Sequence, residues 1–415
     1  MSIRPVWGLN SPISTFASRG RGGLAAMKIN RAYKTELEPN NRQRGAFMRH
    51  SGVARFVFNW ALADRIERYE AGNPTNLYEQ KQRFHALKDE QFPWIRQTAY
   101  CTTERAFRNL DTAYQNFFRR VKKGVEQKGF PRFKSRKQGI GSFTMRGCIH
   151  IEHNRIKLPR IGWVRLKEQG YLPDNGIKIL SVNVSERAGR WFASVQAEVD
   201  IPEPEAGTGE SVGVDFGIKT LAVCSDGTIF ENPKALAKSE RKLKRLQREL
   251  ARRKRGSKNR AKTKRKIAKR HAKIANIRKH ALHNVSYHVT AKTKPSTVVV
   301  EDLNVAGMLK NHCLAKAISD VSFGELRRQI EYKGQWYGVD VVTAGRFYPS
   351  SKTCSGCGSV KPLLKLSERK FVCEKCGVVI DRDLNAAKNL ASLVECEPSN
   401  GRGLSGELGR TETLL

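Results

Sequence analysis

Two Cys-x-x-Cys pairs, Cys354-Ser-Gly-Cys357 and Cys373-Glu-Lys-Cys376, stand fifteen residues apart, and each is followed at once by a glycine, Gly358 or Gly377. Thiolates at this spacing close a tetrahedral zinc site, and the glycines permit the tight knuckle each pair requires. The chain from 354 to 376 must therefore double back so that the pairs meet. A set of four thiolates has no open coordination position, so this zinc is expected to be structural rather than catalytic. The other five cysteines, Cys101, Cys148, Cys224, Cys313 and Cys396, are scattered singly. That is the pattern of a reducing compartment with one metal site, not of a disulfide scaffold.

Charge narrows the partners. The 415 residues carry 77 Lys and Arg against 39 Asp and Glu, a formal net charge of +38. Such a chain repels itself unless a polyanion neutralises it. A hydrophobic content of 39% is enough for packed cores, so this is no disordered basic tail. With no apolar run long enough to span a bilayer, nucleic acid is a stronger candidate partner than a membrane. No Gly-x-x-x-x-Gly-Lys-Ser/Thr loop suggests ATP use, and His150-Ile-Glu-His153 in a strand-rich stretch reads as incidental.

Patterning divides the chain. Residues 1–26 are Gly-, Ser- and Arg-rich and are expected to be a disordered extension, with Met27 a possible start. Residues 27–37 alternate as a half-buried strand and Glu38-Pro-Asn-Asn41 ends it. From 42 to 123 the period is helical. Val53, Phe56, Val57 and Trp60 form one apolar face, and Phe107, Leu110, Tyr114, Phe117 and Val121 another, both read as bundle core. Residues 140–202 read as short strands of a small β-barrel, joined by the strand at 27–37. Ile201-Pro-Glu-Pro-Glu-Ala-Gly-Thr-Gly209 is the clearest boundary. Beyond it come strands at 212–216, 220–224 and 228–230, then a very basic helical region over 233–288. A turn at 255–259 is expected to fold that region into two antiparallel helices, packed through Leu243, Leu246, Leu250, Ile267, Ile274 and Ile277. Its outward cations, Lys242, Arg245, Arg252, Arg253, Lys254 and Arg255 among them, are candidate phosphate contacts. A strand at 297–300, a helix at 316–336, a strand at 339–343 and a helix at 384–393 complete the pattern, with 394–415 expected to be disordered.

Three acidic residues suit a divalent cation. Asp215 lies in a strand, Val212-Gly-Val-Asp-Phe-Gly217, whose glycines let another backbone or a phosphate come close. Glu301 ends the apolar run Thr297-Val-Val-Val-Glu301, where ligands of α/β sheets gather. Asp383 begins a helix and could equally be its cap. Each has a structural explanation taken alone. Together they are better explained by convergence on one site, because phosphodiester hydrolysis needs cations that stabilise both the attacking water and the departing oxygen, and magnesium takes oxygen ligands. The composition and motifs thus point to a basic, metal-dependent enzyme of nucleic acid.

These motifs in order resemble the TnpB family of transposon-associated RNA-guided nucleases and the related compact type V CRISPR effectors. The likeness rests on Gly213-Val-Asp-Phe-Gly-Ile-Lys219, Val299-Val-Glu-Asp-Leu303, Phe347-Tyr-Pro-Ser-Ser-Lys-Thr-Cys354, the cysteine pairs and Asp381-Arg-Asp-Leu-Asn-Ala-Ala-Lys-Asn389. Ala54-Arg-Phe-Val-Phe-Asn59 and Gly129-Phe-Pro-Arg-Phe-Lys134 extend it upstream. The resemblance implies a multidomain α/β protein. Its ribonuclease-H-like (RuvC) nuclease domain would occupy 211–349 and 381–393, interrupted by a zinc ribbon at 350–380. A β-barrel wedge domain at 27–40 and 124–202 would carry an inserted helical recognition domain at 41–123, with a linker at 203–210. It also implies Asp215, Glu301 and Asp383 as the magnesium-binding catalytic triad, a guide RNA, and a double-stranded DNA target cut beside a short adjacent motif. A monomer bound to RNA in the prokaryotic cytoplasm or nucleoid is the corresponding expectation. The rival readings are a guided DNA-binding regulator that does not cut, and a transposase.

Overall fold

The computed structural model describes residues 26–173, 177–365 and 367–395. The expected disordered segments 1–26 and 394–415 therefore lie outside the described residues except for Ala26, Val394 and Glu395. The chain divides into two compact units, one running to Glu203 and including Leu246–Ala272, the other formed by Pro204–Arg245 and the residues from Lys273 onward. The first division falls within the Pro/Gly stretch.

In the first unit, strand β1 (Ala26–Glu38) precedes three helices, α1 (Asn41–Glu70), α2 (Leu77–Gln91) and α3 (Tyr100–Lys122). Asn40 and Asn76 cap α1 and α2 through reciprocal capping boxes with Gln43 and Glu79. The chain then forms β2 (Ser142–Met145), β3 (His150–Glu152), β4 (Arg155–Leu158), β5 (Gly162–Leu166), β6 (Lys178–Arg187) and β7 (Arg190–Pro202). All join one antiparallel sheet in the order β2-β6-β7-β1-β5-β4-β3, with β1 in the middle. Among the described residues the edges β2 and β3 do not pair, so hydrogen bonds alone do not close a barrel. The sheet is nonetheless curled, because Phe143 and Met145 from one edge share a core with Ile156 and Leu158 near the other. A second core holds Val53, Val57, Phe84, Phe107, Leu110 and Tyr114 from the helices. The apolar stripe of α3 stops being core after Tyr114: Phe117 is half-buried and Val121 is 39% exposed.

The second unit is built on a five-stranded sheet of β8 (Val212–Phe216), β9 (Thr220–Cys224), β10 (Ile229–Glu231), β11 (Thr297–Glu301) and β12 (Asp340–Ala344), ordered β10-β9-β8-β11-β12. β8, β9 and β10 form an antiparallel meander, whereas β11 runs parallel to both β8 and β12. In the chain between β10 and β11 run the basic helices α4 (Ala235–Arg252) and α5 (Lys258–Tyr287), of which Leu246–Ala272 belong to the first unit; they are two helices as expected, with the turn slightly earlier than expected, at 253–257. After β11 come the short α6 (Val305–Met308), α7 (Ala315–Val321) and α8 (Phe323–Tyr337). The single helix expected at 316–336 is broken at Ser322, whose backbone is left-handed at φ 64°. The pair β13 (Lys370–Val372) and β14 (Val379–Asp381) leads directly into α9 (Arg382–Glu395). That last helix extends through Val394 and Glu395, beyond its expected end.

Both faces of β11 are covered, as its unbroken apolar run requires. Val298 and Val300 meet the core shared with Leu282 and Val285 of α5 and Leu326 and Ile330 of α8. Val299 points the other way, to Leu390 of α9. Residues on alternate sides of a strand follow a period of two, so Asp215 and Glu301 face α9 along with Gly213 and Val299.

Candidate active site

Gly213 sets the geometry. A Cβ there would stand 2.0 Å from the Ala387 carbonyl oxygen and 2.5 Å from the Ala391 backbone nitrogen. Glycine therefore lets α9 lie against the backbone of β8. Ala387 and Asp383 are one helical turn apart and share a face, while Gly213 and Asp215 share a face of the strand. Seating Ala387 over Gly213 thus carries Asp383 toward Asp215. Glu301 arrives from the neighbouring strand, since β8 and β11 pair through Val300 and Val214, one step short of Glu301 and Asp215. The glycine beside Asp215 admits a backbone here, one of the two uses its sequence context allowed.

The electrostatics record the convergence. Burial pushes the Asp215 carboxyl well above the usual range, and Glu301 and then Asp383 raise it further, against a smaller opposing pull from Arg382. Burial also raises Glu301; a hydrogen bond from Ser350 opposes this, and Asp383 adds to it. Carboxylates so placed on rigid elements offer an oxygen-only donor set for a hard divalent cation, and the residues fit such an ion. Among the described residues, only the four cysteines bring all their ligand atoms within 4.8 Å of one another. A wider carboxylate spread is compatible with ligation of two ions about 4 Å apart.

Residues that the sequence reading did not single out hold this arrangement. Asp381, rather than Asp383, caps α9: its Oδ1 accepts from the backbone nitrogens of Asp383 at 2.9 Å and Leu384 at 3.2 Å. That leaves the Asp383 carboxylate free of the cap role its position suggested. Ser350 Oγ donates to Glu301 Oε1 at 2.8 Å. Buried Asn389 donates through Nδ2 to the Ser350 and Thr353 carbonyls at 2.7 and 2.6 Å. Buried Asn385 donates to the Thr353 carbonyl at 2.6 Å and accepts from Ser355 N at 3.0 Å. Asn385 and Asn389 lie four residues apart, so they share a helix face with the apolar residues that pack on the sheet. That spacing was the available sequence signal, since buried amides need partners.

Cys354, Cys357, Cys373 and Cys376 meet as their spacing requires, with Sγ separations of 3.6 Å between Cys354 and Cys376 and between Cys357 and Cys373. The two knuckles repeat one geometry. Gly358 N donates to Cys354 O at 2.9 Å and Gly377 N to Cys373 O at 3.0 Å, and both glycines have φ 73°. Four thiols so placed fit a zinc ion.

On the basic helices, Lys242, Arg245, Arg252, Lys254 and Arg255 are exposed. Arg253 differs from its neighbours: it is half-buried and its guanidinium is engaged by Glu249, which also accepts from Thr263 Oγ1 at 2.9 Å. It supports the turn through that pairing.

Comparison with known proteins bears on these elements. A family described as "Probable transposase" matches residues 194–312, and one described as "Cas12f1-like, TNB domain" matches 323–390. A third, described as a helix-turn-helix domain, matches 27–74, which here is the strand β1 followed by the long helix α1. The Escherichia coli (strain K12) protein named "Putative RNA-guided DNA endonuclease InsQ" is 34% identical over 382 residues, spanning 88% of this chain and 92% of the relative. A Streptomyces pristinaespiralis protein named "Putative RNA-guided DNA endonuclease" is 35% identical over 389 residues, 91% of this chain and 92% of the relative. Among solved structures, the Cas12f1–sgRNA–target DNA complex matches with a TM-score of 0.50 at 17% identity, covering 83% of this chain and 81% of that one. At that identity the likeness is one of fold: a multidomain α/β architecture.

Proposed function

We propose, from the premise that this chain belongs to the TnpB family of transposon-associated RNA-guided DNA endonucleases, that it cuts target DNA with Asp215, Glu301 and Asp383. The observation that carries this reading is the gathering of those carboxylates on the α9 face of β8 and β11. A sheet of an antiparallel meander followed by two parallel strands supports a ribonuclease-H-like, RuvC-type nuclease domain, and the cluster of four cysteines supports a structural zinc ribbon beside it.

The triad would hold magnesium. When bound, that cation supplies Lewis-acid stabilisation of the attacking water and the departing oxygen of a phosphodiester. The chain's own residues do the rest. Gly213 and α9 fix where Asp383 stands, Ser350 orients the Glu301 carboxylate, and Asp381 keeps Asp383 clear of the helix cap. The exposed cations of α4 and the following turn would hold phosphates of guide or target, while the guide RNA selects the DNA by base pairing beside a short adjacent motif.

The test is cleavage by the purified protein with its co-purified RNA, that RNA being sequenced to define the matched target. The wild type should cut in magnesium and fail in chelator. Asp215→Ala should bind RNA and target nearly as well while cutting neither strand. Tight binding without cleavage by the wild type would instead indicate a guided DNA-binding regulator, and joined DNA ends formed without RNA a transposase.

A further inference from the structure

We propose that Phe347 is a stacking platform for a base of a single DNA strand at the mouth of the carboxylate site. This rests on the nuclease reading and adds a substrate contact to it. Phe347 is 94% exposed, more than any other large apolar side chain among the described residues. Single exposed apolar residues are ordinary on protein surfaces; the mounting of this one is not. It sits on a strap, residues 346–350, that is fastened at both ends to adjacent residues at the end of β11. At one end Arg346 Nε and Nη2 donate to Asp302 Oδ2 at 3.1 and 2.7 Å. At the other, Ser350 donates to Glu301. Between them Tyr348 N donates to the Gly345 carbonyl at 2.9 Å, closing a turn, and the Tyr348 hydroxyl donates to the Asn389 carbonyl at 3.1 Å. The Phe347 ring is thus held out to solvent on a braced segment. Three residues reach at most about 11 Å, so the Phe347 Cα lies within that distance of the Cα of Ser350, the residue bonded to Glu301.

An exposed aromatic face on a braced segment suits a nucleobase, because every base has a π-face. Arg346, next to the ring in sequence, is held by Asp302 and so fixes the base of the strap rather than a phosphate. A paired, stacked base would hide its face, so the occupant is a single strand. It is DNA, because the strand that reaches these carboxylates is the one they would cut.

The test uses the full chain with its co-purified RNA, without added magnesium, at raised salt to suppress non-specific binding. The probe is a short single-stranded oligodeoxynucleotide carrying one 2-aminopurine, whose fluorescence is quenched by stacking. Wild type and Phe347→Trp should quench it. Phe347→Ala should lose the quench and bind the probe roughly 5- to 150-fold more weakly, the effect of losing one stacked base, with an unchanged melting temperature. Equal quench and affinity in Phe347→Ala would overturn the proposal, as would quenching of an oligoribonucleotide of the same sequence but not of the DNA. The nuclease reading is tested separately by cleavage with Asp215→Ala. Continued cutting by that variant removes Asp215 from the site, whereas equal quench in wild type and Phe347→Ala, with cutting by the wild type intact, removes only the platform.

Discussion

The Ala387 carbonyl oxygen occupies the space that a methyl group on Gly213 would need, 2.0 Å from the position of its Cβ. The contact is backbone to backbone, so no flexible side chain can yield. Gly213→Ala must push α9 away from β8, and Asp383 with it. Overpacking of this kind costs about 1–3 kcal/mol or more, and the melting temperature should fall accordingly, with cleavage lost. Gly52 is the contrasting control: it lies inside α1 with nothing within 4 Å of its Cβ position. Gly52→Ala should stabilise by up to about 1 kcal/mol through helix propensity. Thermal melts of both variants check the pair, and equal responses would refute this account of Gly213.

Burial and its acidic neighbours raise the Asp215 carboxyl, which fixes the sign of a pH effect. A carboxylate whose pKa is higher folded than unfolded contributes stability that is fully present below the unfolded value, about 3.9, and lost as pH rises through the folded value. Without magnesium near neutral pH, Asp215 therefore destabilises the protein relative to an uncharged isostere. Asp215→Asn should melt at a higher temperature than wild type at pH 7, with the advantage shrinking as pH falls toward 4. Adding magnesium should also narrow the gap by stabilising the wild type alone. A difference independent of both pH and magnesium would show that repulsion among these carboxylates is not its source.

Ser350 is the one hydrogen-bond donor to the Glu301 carboxylate among the described contacts, and it is itself buried. Ser350→Ala should cost about 1 kcal/mol of stability and raise the magnesium concentration needed for half-maximal cleavage. Ser350→Thr, which keeps the hydroxyl, should restore the magnesium requirement more than the melting temperature. If the alanine variant loses stability but keeps the wild-type magnesium requirement, Ser350 is structural only.

Much of this site was legible in the sequence because its parts are local. The apolar run before Glu301 is a doubly covered strand, and the cysteine spacing closes a four-thiol cluster, as their patterns required. What could not be read were relationships that depend on packing. Gly213 declared a close approach without naming α9. Asp383 was the cap the sequence suggested, and only the entry of β14 into α9 gives that role to Asp381 instead. Arg253 looks in sequence like Arg252 and Lys254, yet the turn directs it to Glu249. In the first unit the strand pattern was clear, whereas closure of the sheet depends on edge pairings that no local pattern specifies. The apolar stripe of α3 continues past Tyr114, but the neighbours that would cover Val121 do not.

The four-cysteine cluster should control the carboxylate site without taking part in chemistry. Its second strand, β14, ends at Asp381, the cap of α9, while Thr353 and Ser355 beside its first cysteine pair are tied to Asn385 and Asn389. Cys354→Ser or Cys373→Ser, or stripping zinc with a strong chelator and then restoring magnesium, should lower the melting temperature and abolish cleavage together, because structural zinc contributes directly to folding. Asn389→Ala should weaken the same connection with the zinc retained. Full cleavage by zinc-free protein in magnesium would refute the coupling.

The cations of the basic hairpin make a quantitative contrast possible. Each phosphate contact removed should reduce the slope of log binding constant against log salt by about 0.7–0.9. Arg252, Lys254 and Arg255 are exposed, whereas Arg253 is engaged by Glu249. Replacing Lys254 and Arg255 with glutamine should therefore reduce the slope for nucleic-acid binding by roughly 1.4–1.8 if both contact phosphates, with little change in melting temperature. Arg253→Gln should do the reverse, lowering stability while leaving the slope nearly unchanged. Titrations from low to moderate salt, paired with thermal melts, measure both quantities. A slope that drops as much for Arg253 as for its exposed neighbours would mean that the ion pair opens on binding and that charge alone, not exposure, selects the contacts.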